Sequence, residues 1–324
     1  MRLARIKGDA GCTAVYHCIS RTVGGEKLLN EACREKLAEI LMPLSAFCGL
    51  EVITYCMMAN HFHLLIRVPV ARELSDAELL QRAEEFYGKK GLLSCLAREG
   101  MEQRGRIDPH VRQTLLGRMG DVSVFMKEFK QRFSRWFNRH SDRFGTLWAE
   151  RFKSVLVEDC PKALQTVASY IDLNPVRAGL VEDPKEYRHC GYAAAVCGAN
   201  GRVRRGLMSF LQGKTWAEAS AEYRSGLLLR SGESGHSKKK ALDRETIRKA
   251  LKDGARLSGA EVLRLRIRHL SDGVVLGSKE FVDGVFIRYR ERFGPHRRSG
   301  ARPIRAVPLP GLMALRDLRV DVVD

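Results

Sequence analysis

Two stretches of this chain have residue types and spacing that could do chemistry: Asn60-His61-Phe62-His63, and far downstream Tyr170-Ile171-Asp172-Leu173-Asn174-Pro175. Side chains alternate faces along a strand, so His61 and His63 point one way and Phe62 the other. Two imidazoles on one face can chelate one divalent metal while the bulky Phe62 anchors the strand in a core. Two surface or structurally bonded histidines would look the same. Tyr170 and Asn174 are four apart, so on a helix they lie on one face, a turn from each other. Pro175 disfavours helix for the residue before it, which puts Asn174 at the helix end. The Asn174 side-chain oxygen is a hard ligand suited to Mg²⁺ or Mn²⁺. The plain structural alternative is an Asn cap beside a half-buried tyrosine.

Together the two stretches supply two imidazoles, an amide oxygen and a phenol. A free phenol has a pKa of about 10 and is a weak nucleophile at neutral pH. A metal that polarises a scissile phosphate and holds it in line offsets that weakness. On this reading Tyr170 attacks a phosphodiester, a 3′-hydroxyl leaves, and the 5′-phosphate stays on the enzyme, ready for rejoining. No ATP or organic cofactor is required, and no phosphate-cradling G-x-x-x-x-G-K-[ST] loop occurs. Thr166 stands four before Tyr170 and Asn174 four after, so one nucleophile is available. Tyr16 and Tyr55 fall in expected strands, and Tyr187 and Tyr192 have no metal-ligand partner at turn spacing.

These residues need a frame. Residues 13–20, 51–58, 61–70 and 151–159 read as strands; 26–47, 121–140 and 161–173 read as helices. Pro43 is expected to kink or end the first helix, and Gly49 to stop it. The order is strand, helix, strand, strand, helix, strand, helix. Its first six elements match the split βαβ, or ferredoxin-like, arrangement of an α+β fold. An antiparallel sheet with helices on one face is expected, with the tyrosine-bearing helix added near it. Residues 74–120 read as a helical insertion, with helical patches at 76–88 and 91–100. Along 121–140, Phe125, Phe129, Phe133, Trp136 and Phe137 form a stripe with the spacing of a core face. Lys127, Lys130, Arg132, Arg135 and Arg139 lie between them and, with Lys153, are candidates to meet phosphates.

The chain has 324 residues, enough for one large or two smaller domains with a proper core. Its net charge of +18 points to a polyanionic partner, nucleic acid first. Nine cysteines, an odd number with no C-x-x-C pair, argue against a zinc ribbon or disulfide framework and for a reducing, cytoplasmic setting. No apolar run reaches the length of a membrane span, and the N-terminal segment lacks a signal-peptide pattern. Residues 1–200 read as a catalytic domain and 201–240 as a linker, its SGESGHSKKK stretch small, polar and basic. Residues 241–324 read as a basic helical region with patterns near 243–254, 259–269 and 278–293. That region fits either a DNA-reading helix-turn-helix or a small bundle. The proline- and glycine-rich tail RRSGARPIRAVPLP is not expected to form a core element.

NHFHLLIRV resembles the histidine–hydrophobic–histidine motif of HUH endonucleases. SYIDLNPVRAGLVEDPKEY, at 169–187, closely resembles the tyrosine-helix signature of single-tyrosine HUH transposases of the IS200-like kind. Within that family the nearest group is the REP-associated tyrosine transposases, which GTLWAERFKSVLVED at 145–159 also resembles. The resemblance covers roughly residues 10–195. It implies the ferredoxin-like fold, His61, His63 and Asn174 as metal ligands, and Tyr170 as nucleophile. It also implies a single-stranded DNA substrate, often a hairpin from an imperfect palindrome. The residues leave open whether one chain or a homodimer acts. The family often continues Trp-Ser-Ser-Tyr where this chain has His189-Cys190-Gly191-Tyr192, which bears on packing after the tyrosine helix. Two other readings stand beside an active strand transferase. One is a domesticated DNA-binding regulator that does not cut; the other is a phosphodiesterase that uses water.

Overall fold

The structure is a computed structural model and describes residues 5–9, 11–198, 201–232, 273–304 and 311–316. The first strand, β1, spans Ala14–Arg21. Helix α1 (Glu31–Cys48) follows, opened by the Asn30 side chain, which accepts from the Cys33 amide at 2.9 Å. Pro43 lies inside α1 and does not end it; Gly49, left-handed at φ 69°, does. β2 (Glu51–Met57) and β3 (His61–Val68) come next. The insertion forms α2 (Asp76–Tyr87), α3 (Leu92–Arg104) and α4 (Pro109–Leu116), one helix more than the two patches suggested. Then come α5 (Val122–His140) and β4 (Lys153–Val157).

These four strands are antiparallel in the order β2-β3-β1-β4, the ferredoxin-like topology expected. The phenylalanine stripe of α5 is core: Phe125, Phe129 and Phe133 are fully buried and Phe137 nearly so. Phe62 meets it from the sheet, its ring 5.3 Å from both Phe129 and Trp148. Burying each such ring is worth about 2–3 kcal/mol. Trp136 leaves the stripe, half-buried and stacked on His140 at 4.5 Å.

The tyrosine-bearing helix α6 (Pro161–Asp172) and the single turn α7 (Asn174–Arg177) complete the expected elements. α6 packs on β2 and β3 from the face that carries His63, opposite the Phe62 face covered by α5. The two helices of the split βαβ unit thus pack together on one face, as expected, and the added tyrosine helix, whose place the sequence left open, takes the other. β2 and β3 are buried along nearly their whole length, so apolar alternation could not say which face each helix takes.

The edge of β2 is closed by the stretch that departs from the family pattern. The Met57 amide donates to the His189 carbonyl at 3.0 Å, and the backbones of Cys56 and Cys190 pair as an isolated antiparallel bridge, both thiols remaining free. α8 (Gly191–Val196) then starts so close to β2 that a Cβ on Gly191 would stand 2.2 Å from Thr54 Oγ1. α9 (Gly201–Met208) covers the same strand, where a Cβ on Gly206 would be 2.4 Å from the Val52 carbonyl oxygen. Covering an edge in this way removes a template for pairing with other chains.

Beyond residue 200 the structure differs from the expected linker. Residues 201–208 are α9, and Trp216–Gly232 form α10, which packs on α6. The helical patterns at 243–254 and 259–269 and the rest of the linker lie outside the described residues. The third pattern is present as α11 (Lys279–Arg288), capped by Ser278. Around it, β5 (Val275–Gly277), β6 (Arg302–Pro303) and β7 (Met313–Leu315) extend the sheet to seven strands. β5 runs parallel to β4, with Val275 and Leu276 fully buried. Two- and three-residue strands are too short for a period-2 signal, and Pro303 is tolerated because β6 is the outer edge.

Candidate active site

The β1–β3 register sets Ile19 opposite His63 and Arg21 opposite His61. His17, two residues before Ile19, shares that face and donates to or accepts from His63: its Nε2 lies 2.9 Å from His63 Nδ1. The rings of His61 and His63 are 5.0 Å apart, nearly perpendicular. Tyr170 stands against this cluster, its ring 5.8 Å from His63 and 6.0 Å from His17. Tyr170 is half-buried, and among the described residues its hydroxyl has no hydrogen-bond partner.

Local bonds fix which nitrogens of the histidines remain. The Asn60 side-chain nitrogen donates to the Gly25 carbonyl at 2.9 Å, so its oxygen faces His61 Nδ1 at 2.7 Å and must accept from it. His61 Nε2 therefore carries the lone pair. His63 Nδ1 is engaged with His17, leaving Nε2 as its open nitrogen. Burial, then the charges of Arg21 and Arg177, pushes His61 down to about 4, so the ring is neutral at pH 7. Burial and the neighbouring imidazoles hold His63 well below the usual imidazole range. Neutral imidazoles are the form that ligates a metal.

Asn174 opens α7 one turn beyond Tyr170, half-buried. Its amide nitrogen donates to the carbonyls of Tyr170 and Ile171, both at 3.1 Å, closing the end of α6 and leaving the oxygen as the atom that could meet an ion. Among the described residues no group of three His, Cys, Asp or Glu is placed to hold a metal. Any ion here would thus draw on imidazole nitrogen, amide oxygen and substrate oxygens, a set that borderline Mn²⁺ accepts.

Two side chains that sequence reasoning missed belong to the site. His17 sits alone in its strand, and only the strand register brings it to His63. Arg177, three residues past Asn174, places its guanidinium carbon 3.9 Å from the centroid of the Tyr170 ring. Its presence within VRAG could have been noticed as a cation one to two turns from the phenol.

The candidate phosphate-contacting residues divide. Lys127, Arg135 and Arg139 are exposed on α5. Lys130 is not: its Nζ donates to the Glu150 carbonyl at 2.7 Å, and burial pushes it down to about 8. Arg132 is held by Glu128 at 2.7 Å and covers the Phe86 ring. Lys153 is exposed and opposite Ile19, so it shares a row with His63 two strands away, about 10 Å. An open groove of about 960 Å³ runs between α5 and residues 145–152, with Lys127, Lys130, Trp148 and Arg151 in its walls. It abuts the histidine end of the sheet, since Ala149 donates to the Arg21 carbonyl at 3.0 Å and Thr22 bridges Trp148.

Residues 12–78 match the family model described as transposase IS200-like. The IS200-like match takes in β1, α1, β2, β3 and all three histidines and stops well before Tyr170. A solved structure described as a REP-associated tyrosine transposase bound to a REP hairpin is similar at 15% identity. The likeness covers 62% of this chain and 90% of that one, with a TM-score of 0.39. No curated protein matches the chain. No helix among the described residues is long and apolar enough to cross a membrane.

Proposed function

We propose that this protein is a DNA strand transferase that cuts and rejoins single-stranded, hairpin-forming DNA through a covalent link to Tyr170. The observation that carries this reading is the packing of the Tyr170 ring against His63 and His17 of the same chain. The phenol oxygen attacks the phosphorus, the bond to the 3′-oxygen breaks, and that oxygen takes up the proton as a 3′-hydroxyl. A 5′-phosphotyrosine remains and is reversed by an incoming 3′-hydroxyl, with no net loss of phosphodiester bonds. His61, His63 and Asn174 would hold Mg²⁺ or Mn²⁺, which supplies Lewis acidity toward the phosphate when bound. Arg21, Arg177 and Lys153 make this face positive and would attract the phosphate. Lys127, Arg135 and Arg139 would follow the strand along α5. A catalytic centre complete within one chain also fits a monomer acting alone, without need of a partner's tyrosine.

The test uses labelled single-stranded hairpins from the flanks of the protein's own gene, with Mn²⁺. A tyrosine-linked product is expected from the wild type and none from Tyr170→Phe, His61→Ala or an EDTA-treated sample. Cleavage retained by Tyr170→Phe would instead establish a water-using phosphodiesterase. Tight hairpin binding without any cleavage would establish a regulator.

A further inference from the structure

We infer that Asp172 and Tyr223 form a latch that sets the rotation of the tyrosine helix, and that Asp172 is a positioning residue for Tyr170. This rests on the reading of Tyr170 as nucleophile. Asp172 lies in the last turn of α6, between Tyr170 and Asn174, and is fully buried. It accepts from the Thr54 hydroxyl at 2.8 Å, the Tyr223 hydroxyl at 2.6 Å and the Tyr192 amide at 3.3 Å. The donors come from β2, α10 and α8, three separate elements. A carboxyl so deep in the protein is costly unless hydrogen bonds compensate it, and here three donors do.

The surroundings are shaped around this contact. A bulge in β2 between Val52 and Thr54 resets which side chains face α6. Gly191 has no side chain because a Cβ would collide with Thr54 Oγ1, and that close approach brings the Tyr192 amide to Asp172. Gly226 of α10 similarly lets that helix close on α6, where a Cβ would stand 2.6 Å from Gln165 Nε2. Tyr223 is fully buried, and the next residue, Arg224, donates to buried Asp183 at 2.6 Å. The helix α10 thus grips the tyrosine helix and the segment after it by adjacent residues.

Geometry says why a latch matters. A side chain tip lies about 5–6 Å from a helix axis, so a rotation of about 20° moves it roughly 2 Å. A misplacement of about 1 Å can already lower a rate 100-fold. Asp172 ties α6 directly to β2.

The experiment compares full-length wild type, Asp172→Ala, Asp172→Asn and Tyr223→Phe. Two readouts are taken: the rate of covalent adduct formation at saturating hairpin DNA with Mn²⁺, and hydrogen exchange along the chain. Asp172→Ala is expected to slow adduct formation about 100-fold while hairpin Kd changes less than about threefold, and Asn, which keeps an acceptor, recovers most of the rate. Exchange is expected to rise in the peptides of α6 and α10 and to stay unchanged in β1 and β3. Should Asp172→Ala fail to fold, Tyr223→Phe, which removes one oxygen, carries the test with a smaller effect of the same pattern. Unchanged rate and exchange overturn the latch. So does exchange raised evenly over the chain with a rate loss matching the unfolded fraction. If the wild type forms no adduct, the nucleophile reading falls, and localised exchange in α6 and α10 still upholds or overturns the latch by itself.

Discussion

The guanidinium of Arg177 covers the ring of Tyr170 at 3.9 Å and donates to the carbonyl of the same tyrosine at 2.9 Å. One side chain thus clamps both ends of the residue whose hydroxyl would react. The stacked cation would also stabilise negative charge developing on the phenol oxygen in that reaction.

A desolvated cation–π contact is worth up to about 2 kcal/mol, or roughly 30-fold in rate. Arg177→Ala is therefore expected to slow adduct formation by that order at saturating DNA. Arg177→Lys keeps the charge without the planar stack and is expected to fall between. Equal rates for all three proteins would show that the stack plays no part in the chemistry.

His17 engages His63 at Nδ1 and leaves its Nε2 open, the nitrogen that would face an ion. A partner that orients a metal-binding imidazole typically contributes about 10- to 100-fold in affinity. His17→Ala should weaken Mn²⁺ binding, measured calorimetrically, by about that factor. Unaltered affinity would leave His17 a packing residue.

Salt dependence separates the basic residues of α5. Replacing Lys127, Arg135 and Arg139 by Gln should lower the log–log salt slope of single-strand binding by about 0.7 for each phosphate that is no longer neutralised. Lys130→Gln should leave the slope alone, because its ammonium is bound to the Glu150 carbonyl. A Lys130 effect on slope as large as that of Lys127 would contradict this division.

Lys130 also predicts a pH effect with a definite sign. Its folded value, about 8, lies below the unfolded value of about 10.4. Between them the unfolded chain binds more protons, so this residue adds stability as pH rises through that window. Buried thiols such as Cys18, pushed up to about 12, act in the opposite direction. The quantity to measure is therefore the difference: wild type minus Lys130→Met should rise in stability from about pH 8 to about pH 10.4. A flat difference would place the ammonium in solvent.

Removing everything after residue 232 should destabilise the fold. β4 would lose its partner, since Leu156 and Glu158 donate to the carbonyls of Val274 and Leu276, both at 2.9 Å. Glu158 would also lose its hydrogen bonds with Ser278. Size-exclusion chromatography and thermal melting of residues 1–232 would check this; a monomer with an unchanged melting temperature would refute it.

Much of the frame was legible because it is written in local terms. The phenylalanine stripe, the caps at Asn30 and Gly49, and the strand pattern around Phe62 each depend on residues a few positions apart. The pairing of His61 with His63 and the turn from Tyr170 to Asn174 are local too, so these residues stood out at once. The added strands β5 to β7 did not, since each is too short to show a period. Lys130 looked like any other lysine of a basic helix until Glu150 was placed over it.

The sequence by itself determined which side chains could react and the order of the elements bearing them. The tertiary structure alone decided that α6 covers the histidine face, that His17 and Arg177 join the cluster, and that α10 seals Asp172. The reason is physical: periodicity reports burial relative to one element's own axis. Strand register, helix rotation and the choice of sheet face are fixed by contacts between residues far apart along the chain, and each is settled only when the whole core packs.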